Sequence, residues 1–572
     1  MSALLAVAIV LPLVIAALLP ARTTRATALA LAPWAPLPAL GLVLLGTPGV
    51  TLDAPWLLLG ARLGMDATAR VFLFFTAALW LSAGIYGRAY LGADPGRARF
   101  VAFYLLTFAG NVGLILAQDV ASFYLFFALM TFSAYGLVVH EGSAAAWRAG
   151  RVYLVMAVLG EGLLVMGLLL LVNASGTLDI ARAAAALAGA PARQTIVVLL
   201  LAGFGVKAGA VLLHLWLPLA HPVAPTPASA VLSGAIIKAG LLGWLRFLPL
   251  GAAALPDLGA LVIAAGLFAA FYGVAIGVTQ RDAKVVLAYS SISQMGLMTI
   301  VVGAGLLAPQ AWPALLPAVS LYALHHAFAK GSLFFGVGLA ARGGGWHWVR
   351  LGQWLSALAL AGAPLTSGAW VKTQMKEALT TLPAPWPSWL SWLLPLAAAG
   401  TSALMIRFLF ITATQRSPVR AAVPGLWLAW LLLWLFWLLG VVWLAGATRW
   451  AGSLDLVARA LWPASPWTSL WPLLLGAFAA GLAVLPLFRR ARYRASAIPP
   501  GDLLAPIERA VRWCADAAHR VPRFAAVRHA TAPSAGPLVA AARIEGRLRS
   551  WSVAGAALLV MLVMLAALLA HR

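Results

Sequence analysis

Residues 324–335 read LHHAFAKGSLFF, and this stretch places two histidines and one lysine inside a long apolar run. An ionisable side chain at the centre of a bilayer costs about 2.5–3.5 kcal/mol on insertion scales, so it usually marks a functional pathway. The setting is hydrocarbon, because 63% of the 572 residues are hydrophobic and 9% are charged. In soluble proteins about 25% are charged. We therefore predict an all-α polytopic membrane protein.

Apolar runs of about 20 residues are long enough to cross a hydrocarbon core about 30 Å thick as α-helices. A window reading predicts about sixteen transmembrane helices. They are 2–20, 26–46, 67–90, 100–117, 119–139, 149–172, 194–217, 226–248, 258–279, 284–307, 314–341, 351–381, 389–413, 423–446, 464–488 and 551–570. No charged residues precede the first run, so we interpret it as a retained span rather than a secretory signal.

The orientation follows from the basic residues, because cytoplasmic loops retain an excess of Lys and Arg. With both termini outside, the inner loops hold the dense basic segment 489–549 and Arg22, Arg25, Arg88, Arg97, Arg99, Arg148, Arg151, Arg281, Lys284, Arg342, Arg350, Arg416 and Arg420. The outer loops hold only Arg62, Arg182, Arg193, Arg449 and Arg459. This pattern predicts a bacterial inner-membrane protein with both termini on the periplasmic side. The net charge of +24 then faces anionic lipid, and we expect no nucleic-acid partner.

Several kinds of site are excluded by composition. Cys514 is the only cysteine, so the chain cannot form an internal disulfide, an iron–sulfur cluster or a Cys-ligated zinc site. The glycines of ARGGGWHW at 341–348 do not follow a strand, as a phosphate-binding loop requires. His325 and His326 are adjacent and point to different helix faces, which disfavours haem ligation. We predict no metal, no cofactor and no catalytic residue.

Five charged residues lie near the midpoints of predicted spans: Glu161, Lys207, Lys238, Lys330 and Lys372. Their similar depth predicts a row of proton-transfer groups along the midplane of the membrane. His326 is four residues before Lys330 and shares its helix face. His325 is an additional candidate, with helix packing as the alternative explanation.

A buried lysine can also have a purely structural role, in which it only donates to a backbone carbonyl or extends its amine to the membrane interface. Lys376, Lys284 and Arg246 lie close to span ends, where long side chains extend toward the interface. Glu161 is the only carboxylate near a span centre, so a nearby lysine is its natural partner. Desolvation lowers the pKa of a lysine below about 10.4 and an adjacent carboxylate raises it again. A moving carboxylate can therefore decide whether a lysine holds its proton, and neutral imidazoles can relay protons through water.

Two predicted spans carry helix breaks. The stretch 215–234, LWLPLAHPVAPTPASAVLSG, contains four prolines, and 360–368, LAGAPLTSG, precedes Lys372. Unwound backbone inside a membrane survives only where protein buries it or it lines a water-filled cavity. Broken segments at corresponding positions of two halves indicate a transport site.

These stretches also carry a family resemblance. KAGAVLLHLWLPLAHPVAPTPASAVLSGAIIKAG at 207–240, AKVVLAYSSISQMG at 283–296, HHAFAKGSLFF at 325–335 and GAPLTSGAWVK at 362–372 resemble motifs of the antiporter-like, proton-translocating membrane subunits. Such subunits occur in complex I, in hydrogenase-4 and formate hydrogenlyase complexes, and in Mrp antiporters. The wording AHPVAPTPASAVLSG is most similar to the hydrogenase-4 branch.

The resemblance implies two inverted five-helix repeats, each with a broken helix, whose half-channels join at the midplane. It implies that Lys207 pairs with a glutamate, that Lys238 connects the half-channels, that His326 and Lys330 form a relay, and that Lys372 is the exit residue. The implied organisation is 1–97 N-terminal helices, 98–250 and 251–415 the two repeats, 416–488 accessory helices, 489–550 a basic amphipathic interfacial segment and 551–572 a final transmembrane helix.

Two positions depart from the family pattern. Counting back from Tyr135 places Ala128 where the family has the glutamate that pairs with the lysine. Glu161, one helix later, is our candidate replacement. Leu212 stands where a proline usually follows the lysine, which leaves the position of the helix break open.

The basic tail contains Leu504, Ile507, Val511, Cys514 and Ala518 at helical spacing. This pattern predicts either an amphipathic helix in the inner interface or a short brace like the family's lateral helix. Pro522, Pro533 and Pro537 would limit its length.

The sequence favours a proton-translocating subunit of a multi-subunit, energy-converting membrane complex. Its expected partners are other membrane subunits, including further antiporter-like subunits, and a peripheral redox module, since the chain has no redox centre of its own. One alternative is a cation/proton antiporter subunit of Mrp type, which would use H⁺ and a cation such as Na⁺. The other is a structural subunit that keeps the fold without pumping.

Overall fold

A computed structural model describes residues 1–342, 346–414, 423–447, 467–482, 498–506, 508–510 and 513. The predicted final span 551–572, with its external terminus, and most of the amphipathic segment lie outside these residues. The chain divides into two units: Met1–Leu52 with Leu63–Leu503, and Asp53–Arg62 with Leu504–Arg572. The helices and the candidate-site contacts described below belong to the first unit.

The described part of the chain is mostly helical. Its α-helices, in chain order, are α1 Ser2–Ala17, α2 Arg22–Leu31, α3 Leu37–Leu45, α4 Ala67–Leu91, α5 Arg97–Leu116, α6 Val120–Val138, α7 Ala144–Ser175, α8 Ile180–Ala186, α9 Arg193–Ala208, α10 Trp216–Val223, α11 Thr226–Val231, α12 Ile237–Phe247, α13 Pro256–Gly277, α14 Ala283–Leu307, α15 Trp312–Arg342, α16 Trp346–Ala361, α17 Ser367–Leu379, α18 Trp386–Thr414, α19 Pro424–Ala447 and α20 Trp467–Leu482. A π-helical turn, Leu232–Ile236, joins α11 to α12.

Nine candidate membrane spans occur among the described residues, judged by length and hydropathy. The chain is therefore a multi-span membrane protein. The 31-residue helix α15 is not among the nine, because His325, His326 and Lys330 lower the mean hydropathy near its middle. The window reading of the sequence does include this helix, at 314–341, and it carries three of the seven predicted site residues.

The prediction of an all-α chain is wrong between α3 and α4. Two short strands, β1 Val50–Ala54 and β2 Ala61–Met65, pair as a two-stranded sheet there. Gly60 between them has a φ of 98°, a conformation that favours glycine. The segment is too short and too polar to cross the membrane, so it pairs its backbone groups as a hairpin.

Several of the acidic residues begin helices. Asp66, Asp119 and Asp282 each accept a hydrogen bond from the backbone N–H three residues later, at 2.6, 2.7 and 3.0 Å. An N-cap carboxylate satisfies a free N–H group and interacts favourably with the helix dipole. Capping therefore accounts for the acidic residues at the N-termini of α4, α6 and α14. It does not account for Glu161, which lies within α7.

Small residues allow α13 and α14 to pack closely. A Cβ atom at Gly266 would lie 2.7 Å from the backbone oxygen of Gly296, and one at Gly273 would lie 2.6 Å from that of Tyr289. Helix association in membranes relies on such close approach, because lipid offers no hydrophobic drive between helices. This packing fixes α14 beside α15, where the polar residues meet.

Candidate functional site

The helix break next to Lys207 lies at residues 209–215, between α9 and α10. Gly209 ends α9 with a φ of 71°, and Leu212 also has a positive φ, 72°. The predicted span 194–217 therefore ends earlier than its hydropathy indicates, and part of the predicted broken stretch 215–234 is helical. Pro218 is tolerated because it lies in the first turn of α10, where its missing N–H is not needed.

Lys207 sits in the last turn of α9 and is buried, with 4% of its surface exposed. Its Nζ donates to the Oη of Tyr153 at 3.2 Å. The same Nζ lies 5.9, 5.2 and 5.8 Å from the ring centroids of Phe127, Tyr153 and Trp216. Aromatic faces attract cations, so this cage holds the ammonium beside the break.

Glu161 lies on α7 with 6% of its surface exposed. Neither carboxylate oxygen has a hydrogen-bond partner among the described residues, although the side chain interacts electrostatically with Lys207 and lies near Tyr124 and Thr131. The two helices are adjacent, since a Cβ at Gly160 would lie 3.0 Å from Val206. Glu161 and Lys207 are thus neighbours without a direct ion pair.

Lys238 and His326 form the shortest link between two of the predicted residues. Lys238 Nζ lies 2.5 Å from Nδ1 of His326 and donates to the backbone oxygen of Ser233 at 2.6 Å. Both residues are fully buried. The acceptor carbonyl belongs to the π-helical turn, and such turns are frequent at functional sites.

Lys330 joins the same cluster through backbone and serine groups. Its Nζ donates to the oxygen of Leu287 at 2.7 Å, and Ser291 Oγ donates to that oxygen at 3.0 Å. Ser291 is also hydrogen-bonded to Ser233 at 2.8 Å. A continuous network therefore runs from His326 through Lys238 to Lys330 across α12, α14 and α15.

His325 points away from this cluster, as expected for the neighbour of His326. Its Nδ1 lies 2.8 Å from Oγ of Ser367, the first residue of α17, and Trp437 Nε1 donates to the same oxygen at 3.1 Å. His325 is buried. It therefore connects α15 to the second helix break.

The second break lies at residues 362–366, between α16 and α17, within the stretch that the sequence indicates. Lys372 Nζ donates to the oxygens of Leu360 and Ala361 at 2.8 and 2.9 Å. These carbonyls end α16, where the helix dipole is negative. A cavity of about 40 Å³ adjoins Lys372 and is also lined by Thr373, Thr468 and Ser469, which is room for a few water molecules.

The structure groups the predicted residues into three places. Glu161 and Lys207 lie together at the first break, Lys238, His326 and Lys330 form the central network, and His325 and Lys372 lie at the second break. Sequence reasoning missed Tyr153, Ser233, Ser291 and Ser367, which supply hydrogen bonds. A serine or tyrosine in an apolar helix gives a weak signal, because it is also common at helix packing contacts.

Residues 117–381 match the family model of the NADH:quinone oxidoreductase/Mrp antiporter transmembrane region. This range is less than half of the chain, and over it the chain is similar to the antiporter-like membrane subunits. Hydrogenase-4 component B of Escherichia coli is 31% identical over 304 residues, covering 51% of this chain and 45% of that protein. A probable K⁺/H⁺ antiporter protein of Rhizobium meliloti is 29% identical over 333 residues, covering 55% of this chain and 32% of that protein.

The fold of the chain is similar to that of one chain in a solved complex. The Mrp complex from Dietzia sp. DQ12-45-1b matches with a TM-score of 0.75 and 24% identity, covering 99% of this chain and 62% of the matched chain. The chain spans at most about half the length of the curated relatives described above. All seven predicted site residues fall within the matched range 117–381.

Proposed function

We propose that this chain is a proton-translocating subunit of a multi-subunit, energy-converting membrane complex. Protons would move along Glu161, Lys207, Lys238, His326, Lys330, His325 and Lys372. The observation that carries the proposal is the central network between the two helix breaks. In it Lys238 meets His326 directly, and Lys330 is joined to them through Ser233, Ser291 and the backbone oxygen of Leu287.

The network suits proton transfer because its basic groups compete for positive charge. Lys238, His326 and Lys330 are buried and close together, and like charges repel strongly where the dielectric constant is low. A proton that arrives at one group therefore favours the release of a proton from another. Each lysine keeps a backbone acceptor, which orients its Nζ in both protonation states.

The two breaks supply the entrance and the exit in this proposal. At the first, Glu161 faces Lys207 without a direct ion pair, so a small approach or retreat changes the charge that Lys207 favours. At the second, Lys372 meets the cavity at the end of α16. The proposed fold has two inverted repeats, at 98–250 and 251–415. The window reading of the sequence gives it about sixteen transmembrane helices.

The energy would come from partner subunits. The relatives include a hydrogenase-4 component, which supports a hydrogenase-like or NADH:quinone oxidoreductase-like complex in the bacterial inner membrane. Its partners would then be further antiporter-like subunits and a peripheral redox module. A cation/proton antiporter subunit is the second candidate, favoured by the K⁺/H⁺ antiporter relative and the fold of the Mrp complex. A non-pumping structural subunit is the third, favoured by Ala128 and Leu212.

The proposal is tested by gentle purification, identification of the co-purifying subunits and reconstitution into liposomes. We expect redox subunits to co-purify and their turnover to drive proton uptake in the absence of Na⁺ and K⁺. Flux that requires either cation would indicate the antiporter. Turnover without proton movement, in vesicles shown to be sealed, would indicate the structural subunit.

The single cysteine permits a test of orientation. In a Cys514→Ser background, we expect Ala145→Cys to react with an impermeant maleimide only from the cytoplasmic side and Ala186→Cys only from the periplasmic side. Both positions are exposed; Ala145 begins α7, and Ala186 follows the far end of that helix. The arginine excess lies on the side of Ala145. The reverse labelling of the two cysteines would overturn this orientation.

Reporter fusions test the same orientation. A reporter fused after Arg549 should be cytoplasmic and one after Arg572 external.

A further inference from the structure

A short segment after the last described helix packs into the first helix break. Residues 498–503 belong to the same unit as the break. Gln280, in the loop between α13 and α14, donates through Nε2 to the oxygen of Ile498 at 3.4 Å. Gly501 has a φ of 73°, and a Cβ there would lie 3.0 Å from Leu219 of α10. Glycine at this position allows the segment to lie against α10.

This segment delivers a carboxylate to the break. The side chain of Asp502 is 6% exposed, and its Oδ1 lies 3.6 Å from Nε2 of His214, whose side chain is fully buried. Tyr272 Oη donates a hydrogen bond to Oδ2 of Asp502. Tyr289 also interacts electrostatically with Asp502. The cluster thus joins the break, α13, α14 and residues 498–503.

His214 is placed to exchange protons rather than only to pack. It lies inside the unwound residues 209–215, seven residues after Lys207, and neither ring nitrogen has a hydrogen bond among the described residues. Trp216, two residues later, faces Lys207 at 5.8 Å. The ring nitrogens of His214 are therefore open to water or to a proton, and the Asp502 carboxylate is the anion beside them.

Asp502 is suited to hold that proton on His214. Burial by itself raises the pKa of Asp502, but the neighbouring His214 and the hydrogen bond from Tyr272 outweigh it and place the pKa below its ordinary value. The carboxylate therefore stays ionised at neutral pH.

We propose that His214 and Asp502 form a proton-loading site at the cytoplasmic mouth of the first half-channel. A hydrated proton from the cytoplasmic side binds His214, which becomes an imidazolium stabilised by the Asp502 carboxylate, and the water that carried the proton returns to the solvent. The proton then passes through the break to the neutral amine of Lys207, and His214 returns to its neutral form. Asp502 keeps its charge throughout and acts as a positioning residue. This inference rests on the proposed function.

The test compares Asp502→Asn, Asp502→Glu and His214→Gln in the reconstituted complex. Without the carboxylate, His214 holds its proton less well. We therefore expect the alkaline limb of the proton-flux pH profile to move to lower pH by about one unit in Asp502→Asn. Asp502→Glu should restore it. Asp257→Asn, an exposed position on α13, is the matched control and should leave the profile unchanged.

A double-mutant cycle separates this role from simple anchoring of the segment. If the two residues act as one unit, adding Asp502→Asn to His214→Gln should cause no further loss of flux. Independent losses, or an unshifted profile in assembled Asp502→Asn, would overturn the inference. If Asp502→Asn does not assemble, Tyr272→Phe replaces it. It loosens the carboxylate without removing it, and it should move the same limb in the same direction; an unmoved limb contradicts the pair.

An infrared pH titration of the purified chain gives a readout that does not need pumping. The imidazole band of His214 is isolated by difference against His214→Gln and compared with and without Asp502→Asn. If the band titrates at lower pH in Asp502→Asn, the His214–Asp502 pair is supported. If the wild-type complex nevertheless moves no protons, only the proposed function fails. An unchanged band, in a complex that pumps, removes the pair alone.

Discussion

Lys330→Ala is expected to abolish proton translocation, or to slow it by about 100-fold or more, while leaving the complex assembled. Lys330 Nζ donates a hydrogen bond to the backbone oxygen of Leu287 in the centre of the network. Lys330 is one helical turn from His326. Alanine removes the only ionisable group at this point of the path. The long stem has no polar contact other than that carbonyl among the described residues, so its loss should not prevent folding.

Lys284→Ala provides a matched control. Lys284 also donates to a backbone oxygen, that of Ala224 at 2.7 Å, but it lies in the first turn of α14. Its variant should pump at close to the wild-type rate if its role is structural. Proton flux is measured in sealed proteoliposomes at equal turnover of the partner subunits. Wild-type pumping by assembled Lys330→Ala complex would remove Lys330 from the path.

Glu161→Gln is expected to remove most of the pumping. Gln keeps the size of the side chain and removes its charge, so Lys207 loses the neighbouring carboxylate with which it interacts. The aromatic cage and the Tyr153 contact of Lys207 remain, which makes a folding defect an inadequate explanation for a loss. Measurement is again flux per assembled complex. Normal pumping would mean that Glu161 is only a buried structural acid, and the alternative of a non-pumping structural role would gain support.

Ala128→Glu combined with Glu161→Ala should restore part of this activity. Tyr124, Ala128 and Thr131 are spaced by four and three residues on α6 and so share one helix face. Tyr124 and Thr131 both lie near Glu161. A carboxylate at position 128 therefore projects toward the same place. Ala128→Gln with Glu161→Ala is the control, which should stay inactive because it fills the space without supplying charge.

The ionisable residues of the candidate site are conspicuous in the sequence because each lies in an apolar run, and the structure buries all seven. The sequence locates the second break, where Gly362 and Pro364 interrupt a helix just before Lys372. It misplaces the first break, because the prolines follow the interruption and the left-handed residues Gly209 and Leu212 cause it. It also gives no sign of the hairpin at Val50–Met65, whose strands are only five residues each.

The hydrogen-bond partners are the part of the site that sequence cannot supply. Which serine meets which lysine depends on the packing of α12 against α14 and α15, and that packing brings together residues about 90 positions apart, such as Lys238 and His326. The link from Asp502 to His214 is still longer in sequence. It depends on a six-residue segment without regular hydrophobic periodicity.

The acceptors of Lys238, Lys330 and Lys372 are main-chain oxygens. No amino-acid substitution can delete a main-chain oxygen. A genetic screen for loss of function would therefore identify the lysines that donate these hydrogen bonds but not the oxygens that accept them. The same property makes the path tolerant of drift, since residues 233, 287 and 360 can change identity while their carbonyls persist. Replacing one of these peptide units with an ester would weaken the acceptor and reveal its contribution.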